Sequence, residues 1–285
     1  MTNTPPVPPG DQQVSQPIAV PDKPRPASFL QRIAGHLIRQ QWTAIGIEFV
    51  VVVFGVFLAF QLNNWNIDRI TQEAGQTYRA RIIDDLKNNE TDLQSRTAYL
   101  GQVKAFGLQV LGDLDRTKPV DDETFLIAAY QATQIYTRPL VRSTYDEVLS
   151  TGGLNALGDA PTRDKISNYY LSVVATEIAF TPSIAYRDTV RSAIPYVVQA
   201  RIRRACAEVL EDSSASVLGR LTLPESCVLG LSQDEVKRAA TRVRTTPGLE
   251  PILTRLLADI DQKLTQAARS QERVSILVED LSARP

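Results

Sequence analysis

The chain has 285 residues, a formal net charge of −1, one histidine and two cysteines. The balance stays near neutral from Asn66 onward, with 27 basic against 29 acidic side chains, so there is no electrostatic footprint for nucleic acid. One histidine and two cysteines cannot build a Cys/His zinc site or activate a cysteine nucleophile through histidine; no catalytic residue, metal ligand or cofactor is assigned.

Residues 1–27 carry eight prolines and almost no apolar clustering, which predicts a disordered or polyproline-like tail. Its Pro5-Pro6-Val7-Pro8-Pro9 run contains a PxxP pattern, readable as a ligand for a proline-recognition module or as a plain spacer. Ser28-Phe29-Leu30-Gln31 reads as a capping box. Behind it Phe29, Leu30, Ile33, Ala34, Leu37 and Ile38 repeat at helical spacing, predicting a juxtamembrane amphipathic helix over 28–41 that lies in the membrane interface. The single histidine, His36, falls there.

Residues 42–65 read as a transmembrane helix with an apolar core from Ala44 to Leu62. Thirteen of those core residues are Leu, Ile, Val or Phe, together worth roughly −4 to −8 kcal/mol on an insertion scale against about +3 for the one charge, Glu48. At about 1.5 Å per residue the segment matches a ~30 Å hydrocarbon layer, and Trp42 and Trp65 bracket it as interfacial anchors. A buried strand on the four valines is the competing reading, but the run is too long for one. A helical step of about 100° brings Glu48, Val52, Gly55, Ala59 and Leu62 onto one face. That face joins the only acid to a small-xxx-small pair, the pattern of a helix-packing seam in a homo-oligomer or with another membrane protein. A glutamate reaching up to the headgroups is the alternative. Within about 15 residues of the span Arg32 and Arg39 precede it and only Arg69 follows; within about 20, Arg25, Arg79 and Arg81 even the count. The expected topology is a cytoplasmic N-terminus and an exported large domain.

From Asn66 to the C-terminus the expected fold is an all-α bundle whose first and last helices are long. Leu86, Leu93, Leu100, Val103, Val110 and Leu114 follow a seven-residue rhythm that Asn89, Arg96 and Gly107 interrupt in register, as in a bundle rather than a free coiled coil. Short helices are expected from Asp121 through Tyr136, from Thr144 to Thr151 with Gly152-Gly153 as the stop, and from Asp159-Ala160-Pro161 through Ala179. Another restarts at Pro182, with a kink at Pro195. Ser232 with Glu235 is a second capping box. Thr246-Pro247 opens the last helix, striped by Leu249, Leu253, Leu256, Ile260, Leu264, Ala267, Val274 and Leu281; this helix is expected to pair antiparallel with the first.

Cys206 and Cys227 flank a Ser-rich loop. In an oxidising compartment they are expected to pair; two buried free thiols are the alternative. Arg201-Ile202-Arg203-Arg204 is a basic helix face, with Arg204 and Glu208 at pairing distance i,i+4. Arg142, Tyr145, Asp146 and Glu147, beside the double glycine, form the densest polar segment and the first place to seek a ligand pocket. A capped helix with its polar side in water is the competing reading.

Three patterns resemble a bacterial family of single-span membrane proteins that share a domain of unknown function. The exit from the span, Leu58-Ala59-Phe60-Gln61-Leu62-Asn63-Asn64-Trp65-Asn66, holds a Gln-x-Asn-Asn-Trp-Asn signature and is followed by Asp68-Arg69. Ser143 to Asn155 and Ile166-Ser167-Asn168-Tyr169-Tyr170 are the other two. The resemblance implies a single-span envelope protein and transfers no catalytic residue.

These features favour a membrane-anchored helical interaction or scaffold module in the bacterial inner membrane with a periplasmic domain, its partners the lipid bilayer and a second copy or another envelope protein. The alternatives are a ligand-sensing domain that acts through a recruited partner and, more remotely, an enzyme that needs no histidine.

Overall fold

The computed structural model describes residues 42–211 and 219–283. The expected proline-rich tail and juxtamembrane helix, residues 1–27 and 28–41, lie outside them. The described residues include eight α-helices and almost no strand, and the chain divides into two units, Met1–Asn66 and Ile67–Pro285.

Helix α1, Trp42–Leu114, contributes to both units. Its first part is the one helix among the described residues that is long and apolar enough to cross a membrane. The apolar window has a mean hydropathy of 2.4 and none of it is buried. Without protein around it, such a surface is stable only in lipid or against another apolar surface.

In the second unit the chain continues through α2 (Asp122–Gln131), α3 (Ser143–Ser150), a 3-10 turn (Gly153–Leu157), α4 (Ala160–Ala179), α5 (Ala185–Ala193), α6 (Tyr196–Ala205), strands β1 (Val209–Glu211) and β2 (Arg220–Thr222), α7 (Gln233–Arg244) and α8 (Leu249–Ser282). Local chemistry sets several boundaries. Asp121 and Asp159 accept the N–H groups of Thr124 and Thr162 as N-caps of α2 and α4, and Ser232 with Glu235 closes both bonds of the capping box on α7. Gly152 stops the α3 turn at φ 69°, a conformation open to a residue without Cβ.

Helix α8 runs antiparallel to the second-unit part of α1. Ser275 donates to Glu90 (2.7 Å), Gln271 to Thr97 (3.3 Å) and Lys104 to Asp261 (2.5 Å). The three interruptions of the heptad rhythm each have a structural cause. The Asn89 side chain brackets the backbone of Val141, donating to its carbonyl (2.8 Å) and accepting its N–H (2.6 Å). Arg96 donates to the carbonyl of Arg138. At Gly107 an added Cβ would stand 2.9 Å from Leu257 Cδ2, so the glycine makes room for the facing helix. The core falls into three groups: one around Phe125, Tyr186, Ala240 and Leu253; one around Ile82, Leu93, Tyr170 and Val274; and a smaller one of Tyr99, Leu100, Val103, Leu223 and Ile260.

Several elements depart from expectation. Helix α2 ends at Gln131, not Tyr136. The Gln131 amide turns to the carbonyl of Cys206 (3.0 Å), and Thr133 Oγ1 bonds back to Tyr130 O (2.7 Å), after which the chain is extended. Pro195 separates α5 from α6 rather than kinking one helix, since it lacks the N–H that would continue α5. The last helix opens two residues after Pro247, with Gly248 at φ 74° before it. One antiparallel hairpin, Val209↔Thr222 to Glu211↔Arg220, stands in the otherwise helical domain. Gln102 pins its open end by bonding both the N–H (2.9 Å) and the carbonyl (3.2 Å) of Leu223.

Candidate functional site

On the apolar part of α1, Glu48, Val52, Gly55, Ala59 and Leu62 are all exposed, as are Trp42 and Trp65. A Cβ built at Gly55 meets nothing within 4 Å, so this face offers a shallow notch one glycine wide. The single acid lies on the same face, where a neighbouring helix could satisfy it.

The predicted polar segment is taken up by ion pairs. Arg142 and Asp146 make an exposed i,i+4 pair through Nη2 (2.7 Å) and Nε (2.9 Å). Glu147 accepts both Nη atoms of Arg81 on α1, at 3.0 and 2.6 Å. These bonds hold the Asp146 and Glu147 carboxyls below the usual carboxylate range, so all four side chains stay charged and spent on one another. Tyr145 turns inward, where its ring stacks on Tyr170 at 4.3 Å and 7°. This arrangement fits the competing expectation, a capped helix with its polar side toward water, and it clasps α3 to α1.

Cys206 and Cys227 are joined by a disulfide, with Cα atoms 5.6 Å apart. It closes the base of the hairpin, since Cys206 precedes β1 and Cys227 follows β2. The Arg204–Glu208 pair does not form; α6 ends at Ala205, and Glu208 instead accepts the hydroxyl of Tyr99. Desolvation and that bond raise the Tyr99 hydroxyl well above the ordinary tyrosine range.

The densest buried chemistry was not singled out in the sequence. Arg96, 2% exposed, donates to Asp92 Oδ2 (3.1 Å) and to the Arg138 carbonyl (2.5 Å), and its Nη2 lies 3.4 Å from Glu177 Oε1. The rings of Phe180 and Tyr136 flank the guanidinium at 4.6 and 5.3 Å. Tyr136 donates to the other Asp92 oxygen at 2.6 Å, and burial, with that acceptor, pushes its hydroxyl up to about 12. The signal available was the i,i+4 spacing of Asp92 and Arg96 with Arg96 in a core register. This cluster is a clamp: each oxygen of Asp92 has a donor, one from Arg96 and one from Tyr136.

A surface feature was also missed. Helix α4 buries Ile166, Tyr169, Tyr170 and Val173 yet leaves Leu171 (68%), Val174 and Ile178 (69%) exposed. At i, i+3, i+7 they form a second apolar row, so the later half of α4 is apolar on both sides. Among the described residues no cluster of three His, Cys, Asp or Glu side chains is placed to hold a metal ion. Comparison with known families, curated proteins and solved structures returns no match.

Proposed function

We propose that the chain is a single-span protein of the bacterial inner membrane, with a cytoplasmic N-terminus and a periplasmic helical domain, that works by association rather than catalysis. The partner is a second copy of the chain or another envelope protein. The observation that carries this reading is the exposed row Leu171, Val174 and Ile178 on a helix whose opposite side is already buried. Three side chains offer far less than the ~800 Å² per partner of a standard interface. The span must therefore contribute, through the Glu48/Gly55/Ala59 face and through the effective concentration that a shared bilayer imposes. The disulfide supports an oxidising compartment, and the three motifs that resemble single-span envelope proteins support the same placement.

The test is crosslinking of the full chain in native membranes, with a photoactivatable residue at Val174. The expected result is a crosslinked species, a dimer of the chain or a discrete complex, that Leu171→Asp with Ile178→Asp abolishes and that Gly55→Leu weakens. A wild-type chain that stays monomeric with no discrete adduct overturns the reading.

A further inference from the structure

A cavity lies entirely within the second unit, walled by α1, the extended segment after α2, the α4–α5 loop, the start of α5 and α8. About 40 Å³ of it is open to the centre of a water-sized sphere. One water needs about 10–15 Å³ by that measure and fills ~30 Å³ of liquid, so the space suits about three waters or one organic molecule of five or six heavy atoms.

Its lining is two-sided. Leu100, Val103, Phe180 and Ile260 supply an apolar floor, and Lys263 and Arg187 supply the cations. Lys263 is only 6% exposed. Its Nζ donates to Asp259 Oδ2 (2.6 Å) and to the Thr181 carbonyl (3.0 Å), which uses two of the three N–H groups of an ammonium. Arg187 is half-buried and donates Nη1 to the Thr133 carbonyl (2.8 Å), one of five guanidinium N–H groups. Asp259 is the acid in this lining and is already bonded to Lys263, so Arg187 is the surplus charge.

More positive charge stands behind the wall. Arg191 donates Nε to Thr133 Oγ1 (2.9 Å) and Nη2 to Gln134 Oε1 (3.2 Å). Burial, and beyond it the charges of Arg187 and Arg203, lowers Arg191 from the usual guanidinium range. Two guanidiniums fastened to one threonine repel each other, and an anion bound between them and Lys263 would offset that repulsion.

We propose that this cavity binds a small monocarboxylate with a short apolar tail, of the size of propionate or butyrate, its carboxylate between Lys263 and Arg187 and its tail on Leu100, Val103 and Ile260. The cations demand an oxyanion, and the apolar floor rejects a fully hydrophilic one such as phosphate. The site makes no use of the span or of the α4 surface, so it stands whether or not the chain associates.

The test uses the full chain in detergent micelles, titrated calorimetrically with sodium butyrate, sodium phosphate or sodium chloride at matched ionic strength. Butyrate should give saturable binding, and phosphate and chloride none. Arg187→Gln should weaken butyrate at least about tenfold, the factor for one charge-assisted hydrogen bond. Because Lys263 is buried and its replacement can unfold the domain, Ser183→Leu, at a half-buried loop position of the lining, serves as the second variant and should also lower affinity with an unchanged circular dichroism spectrum. No saturable butyrate signal, equal binding of phosphate, or full affinity in R187Q overturns the proposal.

Discussion

Replacing Arg96 by methionine isolates the energetics of the buried clamp. The substitution keeps a flexible chain of similar girth between Phe180 and Tyr136 but removes the cation. Asp92, whose side chain is 1% exposed, is then left with the Tyr136 hydroxyl as its one described side-chain partner, a carboxylate buried without its counter-charge. Breaking a buried pair from one side costs about 3–5 kcal/mol. For a domain of this size that lowers Tm by about 6–20 °C. Glu177 adds little to the loss: its side chain is 36% exposed, and it keeps the N–H of Leu140 at 3.1 Å. The double variant Asp92→Leu with Arg96→Met removes both charges and should recover more than half of the loss, because an apolar pair of similar volume is often neutral or stabilising. Thermal unfolding of the full chain followed by far-UV circular dichroism, completed as a double-mutant cycle, reads the coupling directly. A loss under about 1 kcal/mol in R96M, or strictly additive single losses in the double variant, would refute the reasoning.

Two further outcomes follow from the geometry. Changing both cysteines to serine should cost about 3 kcal/mol for a loop of 21 residues, and a reductant should lower Tm in the wild type but not in that variant. Asp121, the N-cap of α2, is held below its ordinary range by the Thr124 hydroxyl and then the Thr124 N–H. A carboxyl depressed in the folded state contributes stability that is full above its unfolded value of ~3.9 and is lost as pH falls through the folded value. Asp121→Asn keeps a capping oxygen but does not titrate. The wild-type advantage over D121N should therefore be constant near neutrality and shrink below about pH 4 in urea titrations. An advantage that does not change down to pH 2 contradicts the assignment.

The parts of the fold legible in the sequence were those set by local rules. Asp159 before Ala160-Pro161, Ser232 with Glu235, and the double glycine after α3 each name a boundary through one or two bonds between near neighbours. The heptad interruptions at Asn89, Arg96 and Gly107 signalled that α1 packs inside a bundle, but their partners Val141, Arg138 and Leu257 lie far along the chain, where spacing says nothing. The hairpin escaped because strands of three residues, β1 exposed throughout, are too short to carry an alternation; it is held by Gln102 and the disulfide, both long-range. Helix α2 stops early for the same kind of reason, as Gln131 is drawn to Cys206 across 75 residues. For the polar segment Arg142 to Glu147 the sequence left a pocket and a solvated helix face both open, since charge density alone does not distinguish a pocket from side chains that neutralise one another; the partner that decides, Arg81, lies 66 residues away. The cavity above Lys263 and Arg187 draws its lining from four separated segments, so no window of sequence contains it.

The placement of the helical domain is tested most directly by a phosphatase reporter fused after Pro285, which is active only when exported. A cytoplasmic N-terminus and a single span predict an active fusion, a dark cytoplasm-only fluorescent reporter at the same position, and Cys206 and Cys227 that resist alkylation until reductant is added. An inactive phosphatase, with a bright reporter and freely alkylated thiols, would contradict it and place the domain, with its apolar row and its cavity, in the cytoplasm.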